Sequence, residues 1–174
     1  MRAAGLLVLG ALALAASPAF AQKTKSSAAI PAVLAALETC ETFATGDVLA
    51  LEAATEAGWD AYEETAESPF IKSYSASKDF PGVGYADMFS LVETYPDRTL
   101  GYCRIDLNEP IGNGAAAIAA IADLDRYEGE VTTNAEGSFA SLAGDERLLL
   151  THWSDYSFVV QLTILTPRGP AASE

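Results

Sequence analysis

Basic residues are scarce. Ten Lys and Arg stand against 24 Asp and Glu, a formal net charge of -14. A chain this acidic has no electrostatic footing on nucleic acid or on an anionic membrane surface, since both are bound through clustered cations. Histidine occurs once, at His152, and cysteine twice, at Cys40 and Cys103. With both thiols oxidised, zinc would have to be held by one imidazole and carboxylates, an uncommon ligand set, so no metal is expected. The acidic groups Asp60, Glu63, Glu64, Glu67 and Asp123, Asp125, Glu128, Glu130 lack the spacing of an EF-hand loop and read as solvated edges. Gly112-Asn113-Gly114 lacks the further glycine and the lysine of a phosphate-binding loop, and Glu109 stands in its approach. It reads as a turn into a helix, and no cofactor is called for.

Long apolar runs are also missing. The stretch Gly5 to Ala16 is broken at Ser17-Pro18, short of the ~20 residues that cross a bilayer core. With Arg2 before it and Ala19-Phe20-Ala21 after it, the stretch reads as a secretory signal peptide over residues 1–21, cleaved before Gln22. No cysteine follows the cleavage site to carry a lipid, so a freely soluble product without stable membrane insertion is expected. Cleavage removes Arg2 and leaves 9 basic residues against 24 acidic ones, a net charge of -15. The expected location is exported, either periplasmic or extracellular. Residues 22–167 are of a length for a single globular domain, and 168–174, rich in breakers and small residues, read as a frayed tail.

The strongest local signal is a β-hairpin from Tyr85 to Leu107 that turns at Tyr95-Pro96-Asp97-Arg98. With Pro96 and Asp97 at the centre of the turn, Met88 falls opposite Ile105 and Val92 opposite Gly101. On the second arm Gly101, Cys103, Ile105 and Leu107 alternate with Leu100, Tyr102, Arg104 and Asp106, which separates an apolar face from a mixed one. A slip of one residue would turn Cys103 and Ile105 to solvent, so the apolar pattern holds this register.

Upstream, Ile30, Val33, Leu34, Leu37, Cys40 and Ala44 recur at helical spacing and point Cys40 inward. Asp47 is the expected cap of a second helix, Val48 to Ala57, with Gly58 as its stop. Trp59 to Glu67 reads as an acidic connector, and Phe70 to Ala76 as a first strand followed by a loop at 78–82. Asn113 is the expected cap of an alanine-rich helix over Ala115 to Leu124. An acidic exit, Asp123 to Glu130, leads to strands near Gly137 to Leu142, Glu146 to Trp153 and Ser157 to Leu165. Together these predict an α+β domain: a mainly antiparallel sheet of five to six strands, with two N-terminal helices and one central helix packed largely on one face.

Two cysteines in an exported chain, each on an inward face, predict a Cys40–Cys103 disulfide. His152 is the one candidate catalytic residue. Its neighbours Trp153, Ser154 and Asp155 cannot form a triad with it directly, because successive residues on a strand point to opposite faces. Among the aromatics Trp59, Tyr62, Tyr74, Tyr85, Tyr102, Trp153 and Tyr156, the pair to watch is Tyr102 with Arg104, as a polar recognition surface on the face opposite Cys103. The leading functional expectation is a non-enzymatic binding, inhibitor or accessory module of the cell envelope, with a basic protein or other envelope component as partner. The alternative is a small hydrolase or ligand-binding domain that uses His152 with carboxylates brought to it by folding.

Overall fold

A computed structural model describes residues 28–65 and 68–168. The predicted signal peptide, Glu67 and the tail beyond Arg168 lie outside the described residues. In chain order the elements are α1 (Ala29–Ala44), α2 (Ala50–Glu56), β1 (Asp60–Glu63), β2 (Ile71–Phe80), β3 (Gly84–Thr94) and β4 (Arg98–Asn108). After these come α3 (Gly114–Ala122), β5 (Glu128–Asn134), β6 (Gly137–Gly144), β7 (Arg147–Trp153) and β8 (Ser157–Pro167).

All eight strands join one antiparallel sheet in the order β1-β2-β3-β4-β8-β7-β6-β5. The class is α+β as expected, but five to six strands is corrected to eight. The two additional strands are the edges, β1 from the acidic connector and β5 from the acidic exit. An edge strand that buries neither face needs no apolar alternation. All seven residues of β5 are exposed, and β1 has no buried residue. Pairing with β6 and β2 makes them strands, and periodicity carries no trace of it. β2 also runs on to Phe80 through the predicted loop, because Ser77 to Phe80 stay paired with Asp87 to Gly84.

The strand order divides the chain into two similar halves, each leading with helix and ending in a four-stranded meander. Their last strands, β4 and β8, lie side by side over eleven paired positions at the sheet centre. The helices cover one face. α1 packs on β3, β4 and β8, while α3 packs on β5, β6 and β7. Between them and the sheet lies the core, in which Leu37, Cys40, Ile118 and Ile121 meet Cys103, Ile105, Leu149 and Leu162, all essentially without solvent access.

Two contacts bring α1 down onto β4. Cys40 and Cys103 form the disulfide, both fully buried, with a Cα–Cα separation of 5.5 Å. Two residues along the strand, Gly101 leaves room for the end of the helix, for a Cβ there would sit 1.6 Å from the Ala44 carbonyl oxygen. A third contact ties α1 to the second half of the chain. Glu41 accepts from Arg126 at 2.8 and 3.0 Å, from the Tyr127 hydroxyl at 2.6 Å and from Arg147 at 3.4 Å. Burial first, and then the Glu41 carboxylate, push the Tyr127 hydroxyl well above the usual tyrosine range, so it remains a donor.

Local chemistry sets the helix ends. Asn113 Oδ1 accepts from the Ala116 N–H at 3.1 Å and caps α3, as its side chain predicts. Asp47 accepts from the Leu49 N–H at 2.9 Å without capping α2, which starts at Ala50 and leaves Val48 87% exposed. Past the other end of α2, Gly58 has a φ of +83°, the left-handed conformation that a helix stop takes.

Candidate functional site

The helices leave the other sheet face open, and alternation decides what it carries. Residues directly opposite in neighbouring strands share a face, so the observed registers align side chains in rows across the whole sheet. One row runs Glu130, Ser141, Leu150, Gln161, Arg104, Phe89, Ser75 and Tyr62. The next runs Thr132, Phe139, His152, Val159, Asp106, Asp87, Ser77 and Asp60. Beside the first lies a third, with Glu128, Leu148, Thr163, Tyr102 and Leu91 among its members. The rows mix apolar and charged groups: Glu128, Glu130 and Asp60 stand on the edge strands, Leu148, Leu150, Phe139 and Phe89 further in, and Arg104, Asp106 and Asp87 at the centre between them. Leu148, Leu150 and Phe89 stand 48%, 40% and 44% exposed, so the apolar part faces solvent.

Tyr102 and Arg104 lie on this open face, and so does His152. The hairpin pattern foretold the first two; the third joins them because β8 and β7 pair on from β4. Arg104 is the cation at the centre of the open face; Arg98, of the same parity on β4, stands at its end and is bound by Asp97. The Arg104 Nε and Nη2 donate to the two carboxylate oxygens of Asp106, both at 2.6 Å, and its Nη1 donates to Gln161 Oε1 at 3.3 Å. The Asp106 carboxylate holds the Arg104 guanidinium protonated above its ordinary range. On one side of this pair is a groove of about 450 Å³, lined by Arg104, Glu130, Phe139, Leu150, His152 and Gln161 among others. On the other side is a hollow of about 350 Å³ lined by Tyr62, Ser75, Asp87, Phe89 and Asp106 among others.

His152 stacks on Phe139, with ring centroids 5.8 Å apart, and its Nε2 lies 3.1 Å from Ser157 Oγ. Burial, with the Arg104 charge in support, lowers its pKa below the ordinary 6.5, against an opposing pull from Asp106. The ring is therefore neutral at pH 7. An unfolded chain binds this proton more tightly than the folded one, so the contribution is intact above about pH 6.5 and is lost as pH falls through the lower folded value. Denaturant midpoints measured from pH 7.5 to pH 5 are expected to fall more steeply for the wild type than for His152→Gln. Parallel declines in the two proteins would contradict this assignment.

Among the described residues, no Ser-His-carboxylate triad assembles around His152. Its polar neighbour is a serine hydroxyl, while the nearby Asp106 carboxylate is engaged by Arg104 at both oxygens. No carboxylate among the described residues hydrogen-bonds the imidazole as a triad carboxylate does. Among the described residues, no group of three His, Cys, Asp or Glu could hold a metal ion. Asp106, Gln161, Phe139 and Leu150 were not singled out in the sequence. Asp106 was within reach, being two residues from Arg104 on one strand; the other three required knowing which strands are neighbours. No family model, curated protein or solved structure matches the chain.

Proposed function

We propose that this chain is an exported, non-enzymatic binding module of the cell envelope, whose open sheet face docks a basic protein in the manner of a small inhibitor, immunity or accessory protein. One observation carries the reading: among the described residues no helix covers the second face of the eight-stranded sheet, which bears solvent-facing Phe89, Leu148 and Leu150 in the interior and Asp60, Glu128 and Glu130 towards the edges. Exposed apolar side chains interspersed with charged ones, here with the Arg104–Asp106 pair between Phe89 and Leu150, suit a docking surface that is partly polar. The partner's sign follows from the charge. A second copy of a chain at -14 is repelled, whereas a cationic surface is attracted and oriented. The buried disulfide is compatible with the oxidising compartment to which the leader-like start would direct the chain.

Capture from an envelope extract at physiological salt is expected to recover a specific basic partner. With that partner purified, Leu150→Lys should weaken binding by roughly tenfold, because it places a charge in the apolar part of the face. Val48→Lys, on a fully solvated turn away from this face, should leave affinity unchanged. Equal affinities for the two variants, or capture that vanishes at modest salt, would refute the reading.

A further inference from the structure

The two free edges of the sheet differ. β1 offers four residues, while β5 offers seven, paired to β6 on one side and to no described strand on the other. Long edges are ordinarily guarded by charged side chains, above all lysine, by proline or by a bulge. β5, Glu-Gly-Glu-Val-Thr-Thr-Asn, has neither proline nor lysine, and its ladder with β6 runs unbroken from Glu128 to Asn134. Its only charges are Glu128 and Glu130, two residues apart and therefore both on the open face. From Glu130 the surface continues directly into the groove that reaches Arg104.

We propose that β5 is a docking edge that takes an extended basic segment of a partner as a ninth strand. The main chain of the segment bonds to the outward N–H and C=O groups of β5, and alternate lysines or arginines lie opposite Glu128 and Glu130. Strand addition supplies affinity through the main chain, and the two glutamates select for charge. The inference rests on the binding-module reading and specifies how the partner's chain is held.

The probe is a capped peptide of alternating lysine and valine, titrated into the folded protein at ~0.15 M salt and followed by amide NMR. Shifts are expected to concentrate on Glu128–Asn134, and the Glu128→Gln, Glu130→Gln double variant should bind several-fold more weakly. Two further peptides are methylated on the main-chain nitrogens of every lysine or of every valine. Alternate N–H groups of a strand point to opposite sides, so one of these peptides should lose roughly tenfold in affinity and the other should not. Equal binding by the two methylated peptides, or shifts spread over the acidic surface in general, would overturn the proposal. If the peptide misses β5 while Leu150→Lys still releases the partner, the edge inference fails and the open-face reading stands. If the peptide adds to β5 and Leu150→Lys changes nothing, the reverse holds.

Discussion

Replacing Cys40 and Cys103 together by alanine is expected to lower the stability of the fold by about 4 kcal/mol. The bond joins residues 63 apart in sequence, and in the chain-entropy account a crosslink of that span removes about that much freedom from the unfolded chain. Small domains hold only ~5–15 kcal/mol in total, so the variant should be near the limit of folding. Both sulfurs are fully buried, and their loss also leaves a small void under α1. Unfolding the wild type in reductant and refolding it reduced keeps the sulfur atoms and isolates the crosslink. Guanidinium titrations of the three forms provide the measurement. The slope should rise when the crosslink is lost, since the unfolded chain then exposes more surface. A loss of less than about 1 kcal/mol on reduction would show that the bond is incidental to the fold.

The second large effect lies two residues away. Gly101→Ala is expected to cost about 3 kcal/mol, near the top of the range for inserting a methyl group into a packed interior. The added Cβ would meet backbone, at 1.6 Å from the Ala44 oxygen and 2.5 Å from its carbonyl carbon, and no side chain there can swing aside. The last turn of α1 must lift off β4 or the strand must bend away. Either movement also pulls Cys40 from Cys103, so the disulfide resists the relaxation that would relieve the clash. In the Cys40→Ala, Cys103→Ala background the cost of Gly101→Ala should therefore be smaller, a non-additivity of the kind that contacting residues show. Thermal melts of the four proteins test this. Full additivity would mean that the helix end and the disulfide do not share one restraint.

Both effects concern a contact that was largely legible before any coordinates. Helical spacing pointed Cys40 inward and strand alternation pointed Cys103 inward, two independent periodicities that agree with the bond that is present. The hairpin register was legible as well. Pro96-Asp97 at the turn places Met88 opposite Ile105 and Val92 opposite Gly101, and both pairs stand in the ladder. Such features are local, or follow from one half-buried element whose apolar residues repeat at its own period. The role of Gly101 was not legible. It sits in an ordinary alternating strand, and only the arrival of Ala44 over it makes a hydrogen the one side chain that fits.

The candidate site divides in the same way. Tyr102 and Arg104 share a face by alternation alone, and Asp106 follows from the same rule. Their meeting with Gln161, Leu150, His152 and Phe139 depends on β4 pairing with β8 and β8 with β7, contacts between residues far apart in the chain. No period in the sequence encodes which strand lies beside which.

By itself, the sequence determined the acidic charge, the inward faces of the first helix and the central hairpin, the disulfide between them and the α+β class. Tertiary structure alone decided that the described residues form eight strands, that the two halves join at β4 and β8, and that the described helices leave one broad face open with His152 and Arg104 on it. The reason is physical. Burial of a face imprints a pattern on the residues that supply it. Edge strands that bury nothing, and pairings made through main-chain groups common to every residue, imprint none.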